Sequence, residues 1–290
     1  MPSLRDIRNR IGSVKNTRQI TKAMKMVAAA KLRRAQDAVV RTRPYAQLLE
    51  QALAQVAARA QAEEKPTHPL LAQREARVAE VVLITSDRGL AGGFNSNVIR
   101  RVQRFTTENA DTYDRVLVST VGRKARDFFR ARHLEVRKDY TGVHSALSFQ
   151  KAEEIAQELS ARFLAGEVDA VFLAFNEFKS AISQVVTIRQ LLPIATAKVE
   201  GAGTAFDFIY EPGREQLLAE LLPRQIATQV YRALLESAAS EHGARMTAME
   251  SATKNAEEMI ASLTLQYNRA RQAYVTKELM EIVSGAEALK

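Results

Sequence analysis

The chain has 290 residues, 46% hydrophobic and 26% charged, with a formal net charge of +9, which is an ordered composition long enough for one large or two ordinary domains. It contains no cysteine, so disulfides, thiolate metal sites and thiol redox switching are excluded. No apolar run approaches the roughly 18 residues that span a bilayer, and the opening MPSLRDIRNR lacks the apolar core of a secretory signal.

Residues 1–60 read as one long helix or two in series. Ser3 is a candidate N-cap. Leu4, Ile7, Ile11 and Val14 follow the 3,4,3 spacing of a narrow coiled-coil seam. The apolar pattern then passes to Ile20, Met24 and Val27, a shift expected to alter the local supercoil. Pro44 is the expected break or kink. Residues 61–75, with EEKPTHP, form a linker.

The period changes between 76 and 195. Val78–Ile84, Arg115–Val121, Asp169–Phe175 and Val185–Leu191 are short β-branched apolar runs. Helical patterns at 97–109, 122–132 and 148–165 lie between the first three and ahead of the third, so a parallel or mixed sheet with helices on its faces is expected. Residues 196–211 are a connector. Residues 212–290 are helical again, with Pro212 suited to a first turn and Pro223 marking a kink or a restart. Met249, Thr253, Ala256, Ile260, Leu263, Tyr267, Ala270 and Tyr274 keep a strict 4,3 seam, which then steps to Val275, Leu279, Ile282 and Ala286. A helix of this length spans on the order of 100 Å. Two narrow seams at opposite ends of one chain are most simply buried against each other. The expected fold class is therefore a long antiparallel coiled coil of the N- and C-terminal helices, with an α/β domain inserted between them.

Chemistry-bearing constellations are sparse. VVLITSDRGLAGGFNSN is a strand, a glycine-bearing loop and a helix start. Gly89, Gly92 and Gly93 could offer amides to a phosphate, but no Gly-Lys-Ser/Thr follows and the loop is not G-x-G-x-x-G. Tight-turn glycines are the favoured reading. Ser86–Asp87 has no histidine beside it, and Glu153–Glu154 and Glu257–Glu258 read as solvated pairs. His68, His133, His144 and His242 stand singly. No catalytic, cofactor-binding or metal-binding residue is expected.

Charge is the strongest signal. Residues 1–43 hold twelve Lys or Arg against Asp6 and Asp37, whereas the rest of the chain sums to −1. Lys15, Arg18, Lys22, Lys25, Lys31, Arg33 and Arg34 alternate with small apolar residues. An acidic partner is implied. A basic coiled-coil nucleic-acid binder is one alternative, although the segment lacks aromatics for base stacking. A basic shaft inside an acidic protein cavity fits the charge equally well.

Three blocks resemble the gamma subunits of F-type ATP synthases: LRDIRNRIGSVKNTRQITKAMKMVAAAKLRRAQ, ITSDRGLAGGFNSNV, and ARMTAMESATKNAEEMI with the later YNRARQAYVTKELMEIVSGAEAL. The similarity runs in order through nearly the whole chain. It implies a Rossmann-like inserted domain and a non-catalytic rotor shaft, turned by a proton-driven ring of c subunits, that couples rotation to ATP synthesis or hydrolysis in the beta subunits. The implied partners are the alpha and beta subunits, epsilon and the c-ring, with no nucleic acid, no cofactor and no membrane span. Carried over by position, the resemblance implies contacts to the hexamer and its acidic beta lever at Arg8, Lys15, Arg18, Lys22, Met24, Arg245, Arg271, Gln272 and Thr276. It implies an upper pivot at Leu279, Ile282, Val283 and Leu289, and a foot toward the ring and epsilon at Tyr210 and Glu211. The absence of a transit sequence leads to the expectation of a bacterial chain, peripheral on the cytoplasmic face of the inner membrane.

Overall fold

The computed structural model describes residues 3–62, 68–72, 74–75, 77–144, 147–194 and 213–287. Two compact units emerge. One comprises residues 1–28 with 245–290, and the other comprises 29–244. Two helices contribute to both: α1 (Leu4–Ala62) and α5 (Arg214–Glu287).

In the first unit α1 and α5 run antiparallel. Ser3 and Asp6 open α1 as a reciprocal box: the Asp6 amide donates to Ser3 Oγ at 3.2 Å, and the Ser3 amide donates to Asp6 Oδ2 at 3.1 Å. Those bonds hold the Asp6 carboxyl below its usual pKa. Three cross-helix pairs fix the register: Arg8 with Tyr267, Thr21 with Thr253, and Lys25 with Glu250. Eighteen residues of α1 from Arg8 to Lys25 thus run against eighteen of α5 from Glu250 to Tyr267, without a slip.

That register corrects the shift expected at Ile20. The 3,4 repeat of Leu4, Ile7, Ile11 and Val14 continues unbroken through Arg18, Thr21, Lys25 and Ala28, all buried or half-buried. Ile20 and Val27 turn outward, 61% and 56% exposed. Apolar residues misled the reading because the seam is partly polar. Thr21 and Thr253 share a 2.8 Å bond while Thr21 also donates to the Arg18 carbonyl, so their hydroxyls are satisfied. Polar seam positions of this kind specify register.

The second unit contains a five-stranded sheet: β1 (Val78–Ile84), β2 (Arg115–Val121), β3 (Lys138–Tyr140), β4 (Ala170–Phe178) and β5 (Gln184–Leu192). Their order is β3-β2-β1-β4-β5, and all are parallel except β5, which runs antiparallel to β4. α2 (Phe94–Glu108) and α3 (Arg123–Ala131) bury Val98, Ile99, Val102, Phe105, Ala125 and Phe129 on one face. α4 (Phe149–Leu164) covers the other, joined there by Leu49 and Leu53 of α1 and by α5 from Leu218 to Leu234. Helices on both faces explain why β1 and β4 are buried almost throughout rather than alternating.

The two prolines do not break their helices. Pro44 lies inside α1 and Pro223 inside α5. A helical proline orphans the carbonyl four residues back. Here those carbonyls belong to Val40 and Ala219, both exposed, so water can serve them. The segment expected as a plain linker holds a 3-10 turn at Pro69–Leu71 with Leu70 and Leu71 buried. Among the described residues no helix is long and apolar enough to cross a membrane.

Candidate functional site

Two places merit attention: the C-terminal ends of the strands, where doubly wound sheets bind ligands, and the surface of the paired helices.

At the start of α3, beyond the ends of β1 and β2, the amides are already engaged. The first three amides of α3 donate to Asp87 Oδ1, the Ser86 carbonyl and Thr85 Oγ1, at 3.0, 3.1 and 3.0 Å. A phosphate at this helix start would have to displace all three. Gly122 allows the approach. Its φ is +98°, and a Cβ there would lie 2.2 Å from the Thr85 carbonyl oxygen, so only glycine fits. The glycine-bearing loop also closes on itself. The Ser86 amide donates to Asn95 Oδ1 at 2.9 Å, and Ser86 Oγ donates to the Arg88 carbonyl at 2.6 Å. The order of strands reverses between β1 and β4, and α5 covers that end of β4: Ser240 Oγ donates to the Asn176 carbonyl at 2.9 Å. Gly243 lets α5 come within contact of the Ala181 backbone, where an added Cβ would sit 3.3 Å away. An open cleft of about 290 Å³ remains beside α3, lined by Asp87, Arg123, Arg126, Asp139 and Tyr140. Its charges answer one another: Arg126 lies 3.5 Å from Asp139, and Arg123 lies 3.9 Å from Asp87.

A buried ion cluster escaped the sequence reading. Glu80, wholly buried in the middle of β1, accepts from Ser119 Oγ at 2.5 Å, pairs with Arg137 at 2.8 Å, and also pairs with Arg162. Arg137 continues to Glu158 at 2.7 Å and to the Tyr140 hydroxyl at 3.0 Å. Burial opposes the charge on Arg137, but the bond to Glu158 and the charge of Glu80 raise its pKa above the ordinary arginine value. Burial likewise pushes the Tyr140 phenol up. The cluster ties β1, β2, β3 and α4 together. Its only sequence signal was an acidic residue inside an apolar strand.

The first unit carries the residues singled out from the sequence. Arg8 donates to the Tyr267 hydroxyl at 2.7 Å and lies 5.6 Å from its ring centroid. Lys15 and Lys22 are exposed, whereas Arg18 and Met24 are half-buried. Ile20, Met24 and Val27 share one helix face, and Ile20 and Val27 are left bare by the described residues. Lys25 pairs with Glu250 at 2.6 Å. Arg245 is half-buried and engaged.

Arg271, Gln272 and Thr276 are exposed, as is every residue from Arg271 to Ser284. This corrects the seam expected beyond Ala270. By the observed register Leu4 sits opposite the start of this stretch, so α1 ends and α5 continues bare. Tyr274, Val275, Leu279, Ile282 and Val283 are 47–65% exposed. Tyr210, Glu211 and Leu289 lie outside the described residues, as does the side chain of Ala286.

Comparison with known proteins agrees with this architecture. Residues 3–289 match the ATP synthase family model. The chain is 75% identical to the ATP synthase gamma chain of Anaeromyxobacter sp. (strain Fw109-5) over 290 residues, covering all of both chains. It is 52% identical to that of Geobacter metallireducens, again covering all of both. Among solved structures it resembles a chain of the central stalk and c-ring of Tetrahymena thermophila mitochondrial ATP synthase, with a TM-score of 0.59 and 31% identity over 80% of this chain and 99% of that one. A chain of the Euglena gracilis mitochondrial enzyme shares the fold, with a TM-score of 0.71 and 24% identity over 99% and 94%. The chain belongs to the family of bacterial ATP synthase gamma chains.

Proposed function

We propose that this chain is the central rotor shaft of an F-type ATP synthase. It carries rotation between a proton-driven c-ring and the catalytic beta subunits, without an active site of its own. The observation that carries this reading is the bare end of α5. Fourteen consecutive exposed residues include six large apolar ones that no described part of the chain covers. Such a surface gains free energy only when a partner encloses it. A sleeve formed by the alpha and beta subunits would do so, with Leu279, Ile282, Val283 and Leu289 as the pivot.

Below it, Arg8, Lys15, Arg18, Lys22, Met24, Arg245, Arg271, Gln272 and Thr276 would meet the hexamer in passing. Exposed cations suit that task, because solvent-screened ion pairs contribute only roughly 0–1 kcal/mol and guide without trapping. Tyr210 and Glu211 would face the c-ring and epsilon. The complex would hold the chain peripherally on the cytoplasmic face of the inner membrane. The self-capped loop at α3 fits a domain used as a fitting rather than as a nucleotide site. Nothing in the comparisons favours the nucleic-acid alternative.

Co-expression with the alpha and beta subunits tests the reading. A stoichiometric complex that survives gel filtration at moderate salt is expected. An isolated chain that instead binds DNA with strong salt dependence would contradict it.

A further inference from the structure

Beyond residue 43 the charge sums to −1, but that balance conceals a local excess. α2 and α3 pack on the same sheet face through Val98, Val102, Phe105, Ala125 and Phe129. Helical geometry then turns Arg100 and Arg104 of α2, and Lys124 and Arg130 of α3, toward solvent, and all four are exposed. Together the two helices carry seven Lys or Arg against Glu108 and Asp127. Both acids are occupied: Glu108 by Arg101 at 2.9 Å and Asp127 by Arg126 at 3.1 Å. Arg100, Arg104, Lys124 and Arg130 form no ion pair among the described residues.

The chemistry of this face points to its partner. Protein interfaces are centred on apolar and aromatic anchors, and among the described residues neither α2 nor α3 exposes a large apolar side chain. A diffuse set of unpaired cations without an anchor suits a fluid anionic surface, which attracts Lys and Arg within about one Debye length and requires no pocket. We propose that the outer face of α2 and α3 rests on anionic phospholipid headgroups. The proposal relies on the rotor reading, which brings the chain to a membrane ring. A fluid lipid surface also offers no fixed angular minimum, so the contact would support a turning shaft without holding it at one angle.

The test uses the assembled complex of this chain with the alpha and beta subunits. Its co-sedimentation is measured with phosphatidylcholine vesicles and with vesicles containing about one-third phosphatidylglycerol, because cationic side chains near such a surface contribute roughly fivefold each. The wild-type complex is expected to bind only the phosphatidylglycerol vesicles, and less at high salt. The triple variant R100Q/R104Q/R130Q is expected to lose at least about tenfold in binding, with assembly and ATP hydrolysis unchanged. Equal binding to both vesicle types, or equal binding by the variant, overturns the proposal. So does a variant complex isolated from membranes that has lost a subunit while vesicle binding persists, since the face would then serve an acidic protein. Failure of the complex to form counts against the rotor reading itself, and the lipid proposal falls with it.

Discussion

α5 is one helix in two opposite environments. From Gln225 to Glu241 not one residue is exposed, whereas from Arg271 to Ser284 every residue is. The first stretch is enclosed by the α/β unit on more than a single stripe, and its buried Glu236 is held: it accepts from Arg232 at 3.1 Å and from the Phe178 amide. The second stretch has no described residue of its own chain packed around it, yet it carries Leu279, Met280, Ile282 and Val283. Apolar residues in the enclosed stretch serve folding. Those in the bare stretch are covered by no described residue, which points to a use outside the chain. Substitutions should therefore divide cleanly: stability effects in the α/β unit, and assembly or coupling effects along the bare helix.

The sharpest break belongs to the ion cluster. Glu80→Ala leaves Arg137 and Arg162 without their shared buried carboxylate, and loss of one partner from a buried pair costs about 3–5 kcal/mol. Urea unfolding of the purified chain should show a loss of that size. A loss under about 1 kcal/mol would mean that the cluster is hydrated and holds nothing together.

A smaller effect is expected in the paired helices. Thr21→Val removes the 2.8 Å bond to Thr253 but keeps the side-chain shape, so about 1 kcal/mol should be lost. If the bond fixes register, a cysteine pair introduced at Arg8 and Tyr267, which adjoin in the native register, should cross-link less efficiently in the variant. Unchanged cross-linking would transfer the register role to Lys25 and Glu250.

These two clusters also mark the limit of what the sequence disclosed. β1 and β2 were legible to the residue, because VAEVVLI and RVLVSTV are dense β-branched runs between polar boundaries. β3 was not, because three residues of sequence KDY carry no strand signal and are held by pairing to β2 and by the neighbouring Arg137. The seam was legible where both helices line it with apolar residues, was misread where Arg18, Thr21 and Lys25 occupy it, and was carried too far past Ala270, where apolar spacing continues after α1 has ended. Pro44 and Pro223 looked like breaks because sequence does not say whether the orphaned carbonyl faces water. The strand–loop–helix motif holds Gly92 at positive φ, as a turn would, but Gly122, whose lack of a side chain lets β2 approach the Thr85 carbonyl, gave no signal apart from its place after a strand.

At the bare end the expected stability change is close to zero. Ile282→Ser with Val283→Ser should leave the thermal midpoint of the isolated chain unchanged, within about 0.5 kcal/mol, while weakening recovery of the complex with alpha and beta. A clear drop in the midpoint would show that the tip packs on its own chain and would erase the contrast between the two stretches.

Smallest is a pH effect on the α/β unit. Burial pushes the Glu158 carboxyl up, but hydrogen bonds from Arg137 and Lys138 outweigh it and leave the pKa below its usual 4.5. A carboxylate depressed in the folded state contributes stability that is present above 4.5 and lost as pH falls through the folded value. Stability should therefore decline more steeply below that point in the wild type than in Glu158→Gln. Equal slopes would assign the acid sensitivity to other carboxylates.

The central claim is that this chain turns. The sequence has no cysteine, and Ile182, 82% exposed between β4 and β5, offers a site for a single label. A bead attached at Ile182→Cys, with the alpha–beta complex fixed to a surface, should rotate in one direction only while ATP is hydrolysed and stop when ATP is withdrawn. A bead that only jitters about one angle while the complex hydrolyses ATP at its normal rate would contradict the rotor account.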